Sequence, residues 1–307
     1  MDLLSILLII AGLVLFETIT SIDNAIINAE VLSTMGERAK RWFLTWGLLI
    51  AVFAIRGLLP WLIVWMSTTS LGPLGALTAT FSSDPVVIAA IEQSAPILLM
   101  GGGTFLLFLF LHWLFLESKN FGLRGERYIA SKGVWFFAIV SVLLAGLVWF
   151  ALEKSPLIAF GAVVGSSTFF IVHGFRQNAE EAEKKMLHSS GMSDISKVFY
   201  LEVIDATFSI DGVIGAFAFT MSVPLILIGN GIGAFIVREL TIRNVDNIKK
   251  YRYLKNGAMY SICFLGIIMM MDSFGVKIPF WVSPIITFGV VGFFMVKSMR
   301  EIPRAQG

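Results

Sequence analysis

Two short stretches carry most of the chemistry in this chain. Glu17-Thr-Ile-Thr-Ser21-Ile-Asp23-Asn24 and Asp205-Ala-Thr-Phe-Ser209-Ile-Asp211-Gly212 both read acid-x-x-x-Ser-Ile-Asp-(Asn/Gly), and Glu202 precedes the second by three residues. Each lies in an apolar run. An ionised carboxylate at mid-bilayer costs on the order of 3 kcal/mol unless it is paired or faces water, so these acids call for a cation. On a helix, Glu17, Ser21, Asn24 and Asn28 share one face, and Glu202, Asp205 and Ser209 share another. Asp23 and Asp211 fall off those faces. They join a common site only if the helices unwind around Ser-Ile-Asp, which Asn24 and Gly212 permit. Unwinding would also free backbone carbonyls as ligands. Carboxylate, hydroxyl, amide and carbonyl oxygens suit hard or borderline divalent cations such as Mn²⁺, Mg²⁺ or Ca²⁺. The expected metal-binding set is therefore Glu17, Ser21, Asp23, Asn24, Glu202, Asp205, Ser209 and Asp211. The competing reading is interhelical hydrogen bonding with no transport.

The elements that position these residues are membrane spans. Of 307 residues 57% are hydrophobic and only 14% charged, where a soluble domain carries about a quarter. Mean hydropathy is +0.83. This excludes a soluble enzyme and a nucleic-acid binder and makes the lipid bilayer the solvent. Nine segments can span it: 3–32, 42–66, 95–116, 133–152, 156–173, 197–222, 224–242, 257–272 and 278–297. Basic residues gather after spans 1, 3, 5, 7 and 9, and only Lys154 and Lys277 fall on the opposite side. The positive-inside rule then puts the N-terminus outside and the C-terminus in the cytoplasm of an inner (plasma) membrane. With no basic n-region and no cleavage site, the first run reads as a retained span. Residues 67–94, without Lys or Arg, read as an extracytoplasmic loop, and Gln177–His188 as a short cytoplasmic helix. A single cysteine, Cys263, rules out an internal disulfide and a thiolate cluster.

The two acidic stretches match at a constant offset of 188, and a second match follows in the next span of each half: Phe53-Ala-Ile-Arg56-Gly-Leu58 beside Phe235-Ile-Val-Arg238-Glu-Leu240. Two matches in one order indicate duplication. Spans 1 and 6 run in opposite directions, so the halves are inverted, as in secondary transporters. The expected fold is an all-α membrane protein of nine transmembrane helices in two inverted-topology repeats. Residues 1–152 form the first half, 153–196 a connector span and cytoplasmic linker, and 197–307 the second half. Arg56 and Arg238 can balance an empty acidic site and be displaced when a cation enters, or form structural ion pairs. Arg238 can alternatively snorkel to the cytoplasmic surface. His112 and His173 end their spans and read as interfacial, Gly101-Gly102-Gly103 as a close-packing site, and the eight Trp residues as interface anchors.

At these residues the sequence resembles the tellurium-resistance TerC-like family of integral membrane proteins. The likeness is strongest in Glu202-Val-Ile-Asp205-Ala-Thr-Phe-Ser209-Ile-Asp211-Gly-Val-Ile-Gly-Ala-Phe-Ala218, with Glu17-x-x-x-Ser21-x-Asp23-Asn24-Ala25 as partner and Ile232-Gly-Ala-Phe-Ile-Val-Arg238-Glu-Leu-Thr241 following. Members with an assigned activity look like manganese exporters, and the wider family groups with lysine-exporter-like transporters. The resemblance thus implies Mn²⁺ as cargo. One departure stands at the start of span 8. Where the pattern reads L-E-H-G-A-H, this chain has Leu254-Lys255-Asn256-Gly257-Ala258-Met259, which bears on affinity or metal choice.

The sequence therefore leads to a secondary exporter of a divalent cation, Mn²⁺ foremost, exchanging for protons, with no bound cofactor. The alternative is a non-transporting membrane scaffold in a tellurite-resistance or envelope-stress complex. An intramembrane enzyme is not expected, since no HExxH motif or Ser-His pair is present. A homo-oligomer is compatible with the sequence.

Overall fold

A computed structural model describes residues 2–50, 52, 56–68, 71–78, 85–188, 193–243 and 250–301, and among these every regular element is helical. The first half contains α1 (Leu3–Thr20), α2 (Ile22–Ser33), α3 (Glu37–Trp42), a π-helical turn Phe43–Gly47, α4 (Leu48–Ile50), α5 (Leu58–Ser67) and α6 (Gly72–Thr78). It continues with α7 (Pro85–Leu116), the short α8 (Glu126–Ala130), and α9 (Phe136–Lys154). Then come α10 (Pro156–His188), α11 (Asp194–Ala216), α12 (Val223–Arg243), α13 (Leu254–Ser273) and α14 (Val282–Glu301).

Among the described residues, each of the nine apolar segments of the sequence lies largely on helix. Seven stretches, in α1, α7, α9, α10, α12, α13 and α14, are long and apolar enough to cross a membrane. The other two segments carry Arg56 and the second acidic motif. In the second, the described residues of 42–66 are helical, α4 and α5 alternating with π-helical geometry at Phe43–Gly47, at Val52 and again at Arg56 and Gly57. The sixth, α11, is one helix whose acids lower its apolarity. Two boundaries also differ. Helix α7 starts at Pro85, before the expected loop ends, and includes Pro96, while α10 continues unbroken through Gln177–His188 instead of leaving a separate linker helix.

Helix α7 is the centre of the bundle. Phe105, Leu106, Phe108 and Trp113 are fully buried, and the rings of Phe105 and Phe108 meet Phe169 of α10 edge-on. Glycines set the spacing. A β-carbon at Gly165 would run into the Gly101 carbonyl oxygen, one at Gly161 would lie 2.5 Å from the Ile97 carbonyl oxygen, and one at Gly103 2.8 Å from that of Gly266. Backbone thus touches backbone along α7–α10 and α7–α13, the close approach that small residues allow when lipid supplies no hydrophobic drive. Outward-facing Phe137, Val142, Trp149 and Phe150 on α9 are exposed, as a lipid-facing helix requires.

The motif helices pack on one another. Phe219 approaches Gly12, Gly215 meets the Phe16 ring and Gly212 meets Glu17, so α1 and α11 run antiparallel. Leu13 sits on Gly229 and Glu17 on Gly233, so α12 lies beside α1 in parallel. Opposite membrane directions for the two motif helices agree with this arrangement.

Candidate functional site

The first motif is kinked and the second is straight. Helix α1 ends at Thr20, Ser21 has φ −93° and ψ 2°, and α2 resumes at Ile22. Thr18 Oγ1 donates to the Val14 carbonyl at 2.7 Å and Thr20 Oγ1 to that of Phe16 at 2.9 Å; α11 carries the same kind of back-bond from Thr207 Oγ1 to the Val203 carbonyl at 2.9 Å, so back-bonding alone does not account for the interruption at Ser21. In α11 the helix runs through Ser209–Gly212 without interruption, so the expected unwinding of the second motif does not occur. The two serines differ accordingly. Ser21 Oγ donates to Glu17 Oε1 at 2.9 Å, whereas Ser209 Oγ donates to the Asp205 backbone carbonyl at 2.5 Å.

Glu17 is completely buried. Its Oε1 accepts from Arg56 Nε at 2.7 Å, and Arg56 Nη1 reaches Asp205 Oδ2 at 3.4 Å. Arg56 is 2% exposed and Asp205 7%, so the guanidinium forms a dry bridge between the acids that head the two motifs. Its π-helical position places the side chain between α1 and α11, a common use of π-turns. Glycines cradle Glu17. A β-carbon at Gly212 would lie 2.7 Å from Glu17 Oε2, and one at Gly233 2.6 Å from Glu17 Cβ.

On the helices that carry this triad and on the neighbouring α2 and α12, several buried polar atoms have no hydrogen-bond partner among the described residues: Glu17 Oε2, Asn24 Nδ2, Asn28 Oδ1, Glu202 Oε1 and both side-chain polar atoms of Asn230. Buried polar groups are rarely left so. Asn230, on α12 and fully buried, is a residue the sequence reading missed; its place between Gly229 and Gly231 is the signal that offered it.

Arg238 does not snorkel. It is 8% exposed, its Nη1 donates to the Phe43 carbonyl at 2.5 Å, and its guanidinium lies 4.2 Å from the centre of the Phe43 ring. Glu202 Oε1 and Arg238 Nη1 converge on Gly47 of the π-turn, where a β-carbon would collide with the carboxylate. Arg238 also feels the charges of Asp205 and Glu202. Acids and arginines thus alternate from Glu17 through Arg56, Asp205 and Arg238 to Glu202.

Asp211 stands apart. It faces another side of α11 and accepts from Arg176 Nη1 of α10 at 3.1 Å. Asp211 therefore does not join Glu17 and Asp205 in the expected common site. A straight α11 turns Asp205 and Asp211 to different neighbours. The side chain of Asp23, on α2, lies outside the described residues. Among the described residues no three His, Cys, Asp or Glu are grouped as a ready metal shell; the Arg56 guanidinium lies between the two carboxylates instead.

No curated protein and no solved structure matches the chain. A family model described as a protein of unknown function, DUF475, matches residues 22–305, and with nearly the whole chain covered, the protein belongs to the DUF475 family.

Proposed function

We propose that the protein is a secondary transporter that exports a divalent metal cation, Mn²⁺ foremost, through a site headed by Glu17 and Asp205. The observation that carries this reading is the Glu17–Arg56–Asp205 bridge, with Glu17 Oε2 unpartnered among the described residues. Two carboxylates and one guanidinium leave one negative charge in excess. Arg56 holds the position of a cation and closes the site; a divalent ion competes with it and draws on the oxygens of Glu17, Ser21, Asn24, Glu202 and Asp205. Hard oxygen donors of this kind suit Mn²⁺ or Mg²⁺. The kink at Ser21 beside the site supports the reading, because interrupted helices at mid-membrane mark transporter binding sites. The TerC-like likeness of the motif, whose characterised members look like manganese exporters, points the same way. Asp211 is left out of the ligand set because Arg176 holds it elsewhere. The orientation proposed is N-terminus outside and C-terminus cytoplasmic, in an inner (plasma) membrane.

The test is Mn²⁺ movement into proteoliposomes, read with an entrapped metal-sensitive dye. Wild type should transport, and Glu17→Gln and Asp205→Asn should each lose at least about tenfold in rate, since a divalent ion needs both charges. A wild type that moves neither Mn²⁺ nor any other divalent cation would favour the scaffold reading instead.

A further inference from the structure

A second polar constellation lies on the other side of α11 from the Glu17 site, where the C-terminal part of α7, the middle of α10, the Asp211 side of α11 and the start of α13 meet. The rings of His112 on α7 and His173 on α10 are 4.2 Å apart, centroid to centroid. His112 Nδ1 is 3.6 Å from Glu117 Oε1, and Glu117 Oε2 is 2.9 Å from Lys255 Nζ on α13. Arg176, one turn beyond His173, pairs with Asp211 on α11 and also feels Glu117. Phe136 of α9 stands edge-on to His112, and Phe169 stacks on His173 at 5.8 Å. Lys119 and Glu126 flank the group and offset each other.

With both imidazoles neutral, Glu117 and Asp211 balance Lys255 and Arg176. The histidines are the groups of this cluster whose ordinary titration range lies near neutrality. Their separation admits one added charge and opposes a second, because two imidazolium rings in contact repel strongly in a partly dry site. A proton on His112 is drawn to Glu117 and competes with Lys255; one on His173 is repelled by Arg176. Either redistributes the charge that holds Arg176 on Asp211.

We infer that His112 and His173 together hold one exchangeable proton, felt at Asp211 through Arg176, and that this proton is the ion exchanged for the metal. The coupling rests on the transport reading above; the proton site does not. The metal and the proton then act on opposite sides of α11, one at Asp205 and the other at Asp211.

The chain has three histidines, so ¹⁵N-histidine labelling of His188→Gln protein in nanodiscs leaves two to follow. Between pH 8 and pH 5 the pair should take up one proton in a coupled step. Asp211→Asn should move the midpoint down by about half a pH unit or more, because a nearby negative charge is removed, while Glu17→Gln leaves it in place. Two independent, complete titrations, or none, overturn the proton site. In proteoliposomes, the double variant His112→Gln/His173→Gln should lose Mn²⁺ accumulation driven by a pH gradient but keep Mn²⁺–Mn²⁺ exchange. Gradient-driven accumulation that survives in it overturns the coupling. Wild type that moves no metal overturns the transport reading and the coupling with it, and the titration still decides the proton site.

Discussion

Gly212 of the second acidic motif is pressed against the carboxylate of Glu17 in the first: a β-carbon at 212 would lie 2.7 Å from Glu17 Oε2. The two similar stretches therefore meet here, and Gly212, which stands where the first stretch has Asn24, is the residue at the contact. Gly212→Ala must push the carboxylate off Arg56 or separate α1 from α11. Overpacking of this kind costs about 1–3 kcal/mol, so thermal unfolding of the purified variant should fall measurably, and Mn²⁺ transport should fall with it.

Arg56 should be more damaging to remove than either acid. Truncating the cation leaves two buried carboxylates facing each other, and breaking a buried ion network from one side costs about 3–5 kcal/mol. Arg56→Gln should unfold at much lower temperature than wild type. Adding Glu17→Gln and Asp205→Asn should recover most of the loss, because no uncompensated charge then remains. A triple variant as unstable as Arg56→Gln would show that the arginine acts through packing.

The separation of Asp211 from Glu17 is open to a double-mutant cycle. Asp211→Asn combined with Arg176→Gln should be strongly non-additive in stability, since the two are in contact. Asp211→Asn combined with Glu17→Gln should be additive within about 0.5 kcal/mol. Strong coupling between Asp211 and Glu17 would mean that the four motif acids do share a site.

Glu117 sets a pH dependence with a definite sign. Burial pushes its carboxyl up, and His112 and Lys255 override that and hold it well below the ordinary 4.5. A carboxylate whose folded value is depressed contributes stability above its unfolded value and loses it as pH falls toward the folded one. Glu117→Gln should therefore be less stable than wild type at pH 7, with the gap narrowing as pH drops below about 4.5. Thermal unfolding of both proteins from pH 7 to pH 3.5 gives the answer; a gap constant over that range would remove the ion pair as its cause.

Orientation can be settled by labelling single cysteines in a Cys263→Ser background. Ser131→Cys, just after α8, should react with an impermeant maleimide only from the cytoplasmic side. Leu74→Cys, exposed on α6, should react only from outside. The opposite pattern would invert the topology drawn from the basic residues.

Much of the site was readable from residue types and spacing, and what was not has physical causes. Glu17 and Ser21 share a helical face and do hydrogen-bond, as the spacing of 4 requires. Arg56 and Arg238 were visible as cations inside apolar spans, which are costly without partners. Which acids they join was not visible, because that depends on how α1, α11 and α12 dock. Asp211 pairs with Arg176, which in sequence looks like one more positive charge at a span end. Its spacing of three from His173 places both on one face of α10, a clue that gains meaning once α11 is known to be straight. The two serines occupy equivalent motif positions, yet the helix is interrupted at Ser21 and runs on through Ser209. Ser21 gives its hydroxyl to a side chain and Ser209 gives it to the backbone, a choice no local pattern encodes.

The glycine contacts of α7 bear on motion as well as packing. With Gly165 against the carbonyl of Gly101, Gly161 against that of Ile97, and Gly266 against that of Gly103, the three backbones interlock like the teeth of a ratchet. A shift of one helix along another would bring the next bulky side chain, Val164 or Leu107, onto a neighbouring carbonyl. Helices α7, α10 and α13 are therefore suited to be the fixed frame of the molecule. On the transport reading, the kinked α1–α2 pair and the π-turns around Gly47 and Arg56 are the parts left to move against that frame.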